Sequence, residues 1–156
     1  MNMRKVFKQM LATVAAGAMS MAMVMPVFAE DINYKQTEAW ISKTYNTEVG
    51  KAETFSFTAI QKTGDGLIGT TANVTMPKIS FEASETRSTS KRGQITFPNY
   101  PEAGKYEYTV TEMQTADPEV SDEHEKMIMS KAEYTMDVYV TNGATGTDIS
   151  NIVVNK

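Results

Sequence analysis

From residue 39 onward, apolar and polar residues alternate with a period of two, the spacing of a strand that buries one face. Residues 39–45 place Ala39, Ile41, Lys43 and Tyr45 on one face and Trp40 on the other. Residues 54–59 group Phe55, Phe57 and Ala59. Further strands are expected at 73–76, through Ile79 and Phe81 beyond Pro77, and at 94–97. The polar stretch 82–92 between them reads as a loop. Residues 99–104 carry turn chemistry and feed the clearest strand, 105–113. An acidic loop is expected at 117–126, a strand at 134–140 and a hairpin-type turn at 142–146. The last strand is expected at 149–154. About seven short strands with turn signals between them predict an all-β, immunoglobulin-like sandwich of Greek-key type. No internal repeat or linker divides it.

The first 29 residues follow a different rule. Arg4, Lys5 and Lys8 form a basic start, and an uncharged stretch of apolar and small residues runs from Met10 to Met25. Pro26, Val27, Phe28 and Ala29 follow, then Glu30 and Asp31. That order predicts a secretory signal cut between Ala29 and Glu30. A membrane anchor would need about 20 predominantly apolar residues without the cleavage pattern. The expected organisation is therefore a signal at 1–29, an extension at 30–37 and one domain at 38–156, with no transmembrane helix in the mature chain.

Removing 29 of 156 residues leaves 127, enough for one hydrophobic core. The whole chain carries −4, and loss of three cations leaves −7. Without a basic stripe, nucleic acid is an unsuitable partner. There is no cysteine, so a secreted domain of this size cannot be braced by disulfides.

Two charges stand on apolar faces. The parity of Tyr106, Tyr108 and Val110 also carries Glu112, and that of Ile41 and Tyr45 carries Lys43. Lysine and glutamate are almost never fully buried unless paired. In one reading both sit near strand ends and reach water, the lysine stem lying on apolar surface. In the other they do chemistry. Burial favours the neutral amine, which is a nucleophile, and the neutral carboxyl, which can donate a proton. Against an asparagine side chain, such a pair could expel ammonia and leave an isopeptide bond.

Segments 41–45, 52–57, 97–112 and 134–140 resemble the streptococcal-type pilin isopeptide-linkage domain of Gram-positive surface proteins. The most specific part is the run Gly104-Lys-Tyr-Glu-Tyr-Thr-Val-Thr-Glu112. The resemblance implies that Lys43 is the nucleophile, joined to an asparagine of a final strand, with Glu112 as proton donor and polarising group. It implies a structural surface protein, secreted to the cell surface or wall, with other pilin subunits and a sortase as partners. Catalysis would be confined to one autocatalytic turnover, with no cofactor and no metal. The family's asparagine lies in a strand after the one resembling 149–154. The acceptor is therefore expected beyond Lys156, in a chain read as truncated before its final strand. Asn151 and Asn155 are the only asparagines among the last ten residues, and of these Asn155 is the one weak candidate for the role.

Other functions have less behind them. His124 lies among Asp122, Glu123 and Glu125 without a second histidine or a cysteine, which suits a solvated acidic loop better than a zinc site. Residues 63–66 form a turn that lacks the further ligands of a calcium loop. No phosphate loop or nucleophile elbow is present. The alternative to a structural role is an adhesin that binds host surface ligands through its loops, with Trp40 as a candidate contact.

Overall fold

The computed structural model describes residues 20–24, 36–48, 50–85, 87–118 and 127–156. Eight strands appear among them: β1 (Ser20–Val24), β2 (Trp40–Thr47), β3 (Glu53–Lys62), β4 (Ile79–Phe81), β5 (Arg87–Gln94), β6 (Gly104–Asp117), β7 (Glu133–Asn142) and β8 (Thr147–Asn155). One sheet has the order β1-β2-β5 and the other β4-β3-β6-β7-β8. Every neighbouring pair is antiparallel. The chain changes sheets between β2 and β3, between β4 and β5, and between β5 and β6. The β2-to-β8 body is an all-β immunoglobulin-like sandwich of seven strands, to which β1 adds an edge.

Alternation decides which side chains meet between the sheets. Ile41 and Tyr45 of β2 and Phe55 and Phe57 of β3 are buried. So are Tyr106, Tyr108 and Val110 of β6, and Tyr134, Met136, Val138 and Val140 of β7. Tyr45, Phe55 and Phe81 form an aromatic triangle with ring centroids 5.3 to 5.8 Å apart, in the tilted and edge-on arrangements that aromatic pairs prefer. The tyrosines of β6 also tie down their surroundings. The Tyr108 hydroxyl donates to the Ala72 carbonyl at 2.6 Å, and the Tyr106 hydroxyl donates to the Glu102 carbonyl at 3.0 Å.

Two sequence expectations change. Most of stretch 82–92 is not loop, because β5 pairs with β2 along Arg87–Gln94. Its side chains alternate only between exposed and half-buried, so the edge strand carries no apolar rhythm. Arg87, Lys91 and Arg92 charge this edge, which discourages pairing with another chain. Conversely, 73–76 forms no strand, only one bridge between Thr75 and Thr96. Just before it, the Gln61 side chain accepts the Ala72 N–H and donates to the Ile68 and Thr70 carbonyls, satisfying groups that a strand partner would otherwise take. The strand expected at 94–97 shrinks to that same bridge, β5 ending at Gln94.

In the segment expected to be a signal, the backbone of Ser20–Val24 lies along β2, with Met21 opposite Lys43 in register. The rest of the signal assignment, its Ala29/Glu30 cleavage point included, falls outside the described residues, as does the stretch around His124.

Candidate functional site

β2 and β6 lie in different sheets, and their inward faces bring Lys43 and Glu112 together. Lys43 Nζ is 2.5 Å from Glu112 Oε1, and both side chains are wholly shielded from water. The strand-end reading is therefore overturned for this pair, since neither head group reaches solvent. The approach is close but lacks hydrogen-bond geometry, and neither Nζ nor Oε1 has another hydrogen-bond partner. The ammonium would be poorly solvated here. Burial pulls the Lys43 amine below its ordinary value, while Glu112 close beside it pulls the other way.

The walls are aromatic and apolar. Lys43 Nζ sits 4.4 Å from the centroid of the Phe55 ring. Phe57 is the cross-strand neighbour of Glu112, and a register shift between Phe55 and Phe57 locally disrupts the β3–β6 ladder at this level. The second carboxylate oxygen is used differently. Glu112 Oε2 accepts the backbone N–H of Ser130 at 2.8 Å, so one oxygen is held by the backbone while the other faces the amine.

A second lysine stands next to the first. Lys91 of β5 is the register partner of Lys43. Its ammonium is drawn to Glu85 Oε2 at 2.7 Å and to the Ser80 carbonyl at 2.9 Å. Lys91 escaped the sequence reading because its strand was read as loop. Ser130 gave no signal at all, because it acts through its backbone.

Neither Asn155 nor Asn151 is brought to this pair by β8. Asn155 is exposed at the end of β8, opposite Thr135 in the other sheet from Lys43. Asn151 lies opposite Tyr139, whose side chain is on the outer face of that sheet. β5 occupies one edge of β2 and β1 the other. Trp40 is half-buried, with the Arg92 guanidinium 5.0 Å from its ring centroid. Among the described residues no group of three His, Cys, Asp or Glu side chains is placed to hold a metal ion, and no helix is long and apolar enough to cross a membrane.

The sandwich thus encloses Lys43 and Glu112 between β2 and β6, which lie in different sheets. The family described as the Spy0128-like isopeptide containing domain (FctA) matches residues 39–155, and the chain belongs to it. No curated protein and no solved structure gives a significant match.

Proposed function

We propose that the chain is a structural pilin-type subunit or surface stalk module that closes an isopeptide bond from Lys43 to an asparagine. What carries the reading is the 2.5 Å approach of two fully shielded, oppositely ionisable groups. In the reaction the neutral Lys43 amine attacks the asparagine side-chain carbonyl carbon. The new C–N bond forms, the bond to the amide nitrogen breaks, and ammonia leaves. Glu112 gives a proton to the departing nitrogen and takes one from the attacking amine, so it ends as it began. The aromatic walls keep water from competing for the amine and from hydrating the carboxyl.

The acceptor strand has one way in. Because β5 holds one edge of β2, an asparagine beside Lys43 must come along the other edge, where β1 pairs. Cleavage between Ala29 and Glu30 removes β1 and frees that edge. In the expected position beyond Lys156, the acceptor would close a loop of more than a hundred residues. Such a tie adds about 4 to 5 kcal/mol in the simple chain-entropy account, without the redox sensitivity of a disulfide. It also carries tensile load across the domain, which suits a surface fibre with other subunits and a sortase as partners.

The test is the intact mass of protein expressed from the complete native reading frame, beside Lys43→Ala. A mature chain one ammonia lighter than its sequence, with the deficit absent in the variant, is the expected result. An unshifted mass in both would return the chain to a plain sandwich and bring the adhesin reading forward.

A further inference from the structure

The two oxygens of Glu112 are made unequal by a segment that belongs to neither sheet. Ladder pairing between β6 and β7 ends at Thr111 and Glu133, so Glu112 lies just past the last paired residue on that side. Residues 127–132 run there without strand structure, yet Ser130 presents its N–H to Glu112 Oε2. Something must hold that backbone in place. Met129 is buried in the core and anchors the segment from one side. From the other, the Gln114 side-chain amide donates to the Ser130 carbonyl at 2.9 Å and to the Glu112 carbonyl at 3.1 Å. The Ser130 hydroxyl accepts the Ala132 N–H at 3.2 Å, closing a local turn.

We propose that Gln114 is a positioning residue for the cross-linking reaction. Its amide staples residue 130 to β6, the Ser130 N–H thereby fixes Oε2, and Oε1 is left aimed at Lys43. The inference rests on the isopeptide reading for its chemical consequence but not for its geometry. A carboxyl has two rotational positions that exchange its oxygens. Without the N–H on Oε2, Glu112 can turn and present either oxygen elsewhere, and the proton shuttle loses its alignment. The bonds of the Gln114 amide go to the Ser130 and Glu112 carbonyls, so its effect passes through those two residues. It is itself exposed, so replacing it removes no core packing.

The experiment compares the native-frame protein with Gln114→Met, which keeps the length of the side chain and removes its donors. It adds Gln114→Arg, whose fork can donate to the same two carbonyls. Two quantities are read: exchange of the Ser130 amide hydrogen, and the rate of ammonia loss after refolding of chain recovered before cross-linking. Gln114→Met should speed Ser130 exchange and slow ammonia loss by about tenfold each, the scale of one or two hydrogen bonds. The denaturation midpoint should fall no further than the loss of those bonds accounts for, and Gln114→Arg should restore both quantities. Unchanged Ser130 exchange in Gln114→Met overturns the proposal. So does faster exchange with an unaltered rate of ammonia loss. If the parent loses no ammonia, the isopeptide reading falls, and Ser130 exchange alone then decides whether Gln114 is the clamp.

Discussion

β6 carries two glutamates five residues apart, and its alternation sends them to opposite worlds. Glu112 faces inward, shielded, against one lysine with which it makes no aligned hydrogen bond. Glu107 faces outward, within 3.2 Å of Lys62 and 3.4 Å of Lys105, and Lys105 also reaches Asp137 at 3.0 Å. The residue types are the same, and the consequences differ because of water. On the outer face, Asp137 chiefly raises the Lys105 amine above its ordinary value, and Lys62 chiefly lowers the Glu107 carboxyl. Between the sheets desolvation outweighs the partner, and the Lys43 amine falls. The outer groups hold their charges more tightly than free side chains would, whereas the Lys43 amine is pressed towards neutrality. An amine pressed towards neutrality gains reactivity at the expense of stability.

The largest effect should come from breaking the inner pair on one side only. Removing one partner of a buried ion pair costs about 3 to 5 kcal/mol, because the remaining group is left without compensation. Glu112→Ala in chain that has not cross-linked should therefore lower the denaturation midpoint steeply. Lys43→Met combined with Glu112→Leu should recover that loss, and such swaps are often neutral or stabilising by about 1 to 4 kcal/mol. A double-mutant cycle measured by chemical denaturation would show this as strong non-additivity. Additive single effects would mean that the two groups are not coupled, and the geometry would have no energetic meaning.

Parity alone was enough to single out both residues. Lys43 shares a face with Ile41 and Tyr45, and Glu112 with Tyr106, Tyr108 and Val110, but parity left open whether the head groups reach water at strand ends, and their burial decides it. That they would meet followed from the family resemblance and not from parity, since β2 and β6 are in different sheets and only the packing of the sheets sets their register. β5 was missed because an exposed edge strand is under no pressure to place apolar residues at alternate positions. The expected strand at 73–76 failed for the reverse reason. Its rhythm was present, but Gln61 satisfies the backbone just before it. Ser130 acts through its backbone, which the Gln114 side-chain amide holds across sixteen residues of sequence, and no pattern of residue types records that.

A second contrast should appear in the pH dependence of stability, again in chain without the cross-link. Lys43 has a folded value below the ordinary 10.5, so the unfolded chain binds more protons between those two values. Its contribution must therefore rise with pH across that window. Lys105 has a folded value above 10.5. Its contribution is fully present below 10.5 and is lost as pH climbs through the raised value. Urea midpoints taken from neutral to strongly basic pH should show a rise that vanishes in Lys43→Met and a later fall that shrinks in Lys105→Met. A parent whose stability falls steadily from neutral pH upward would reverse the sign assigned to Lys43.

The smallest effect belongs to the outer cluster. Lys62 is 44% exposed and Glu107 19%, so water and salt already screen their attraction. Pairs of this kind contribute about 0.2 to 1 kcal/mol. Glu107→Gln should cost no more than that, and the cost should fall further in molar salt, whereas the loss in Glu112→Ala should hardly respond to salt. The salt series is the sharper half of the experiment, because magnitudes alone vary with context while screening distinguishes the two faces directly. A Glu107→Gln loss as large as that of Glu112→Ala, and equally insensitive to salt, would mean that the outer face is as dry as the inner one. The contrast between the two lysines would then need a cause other than water.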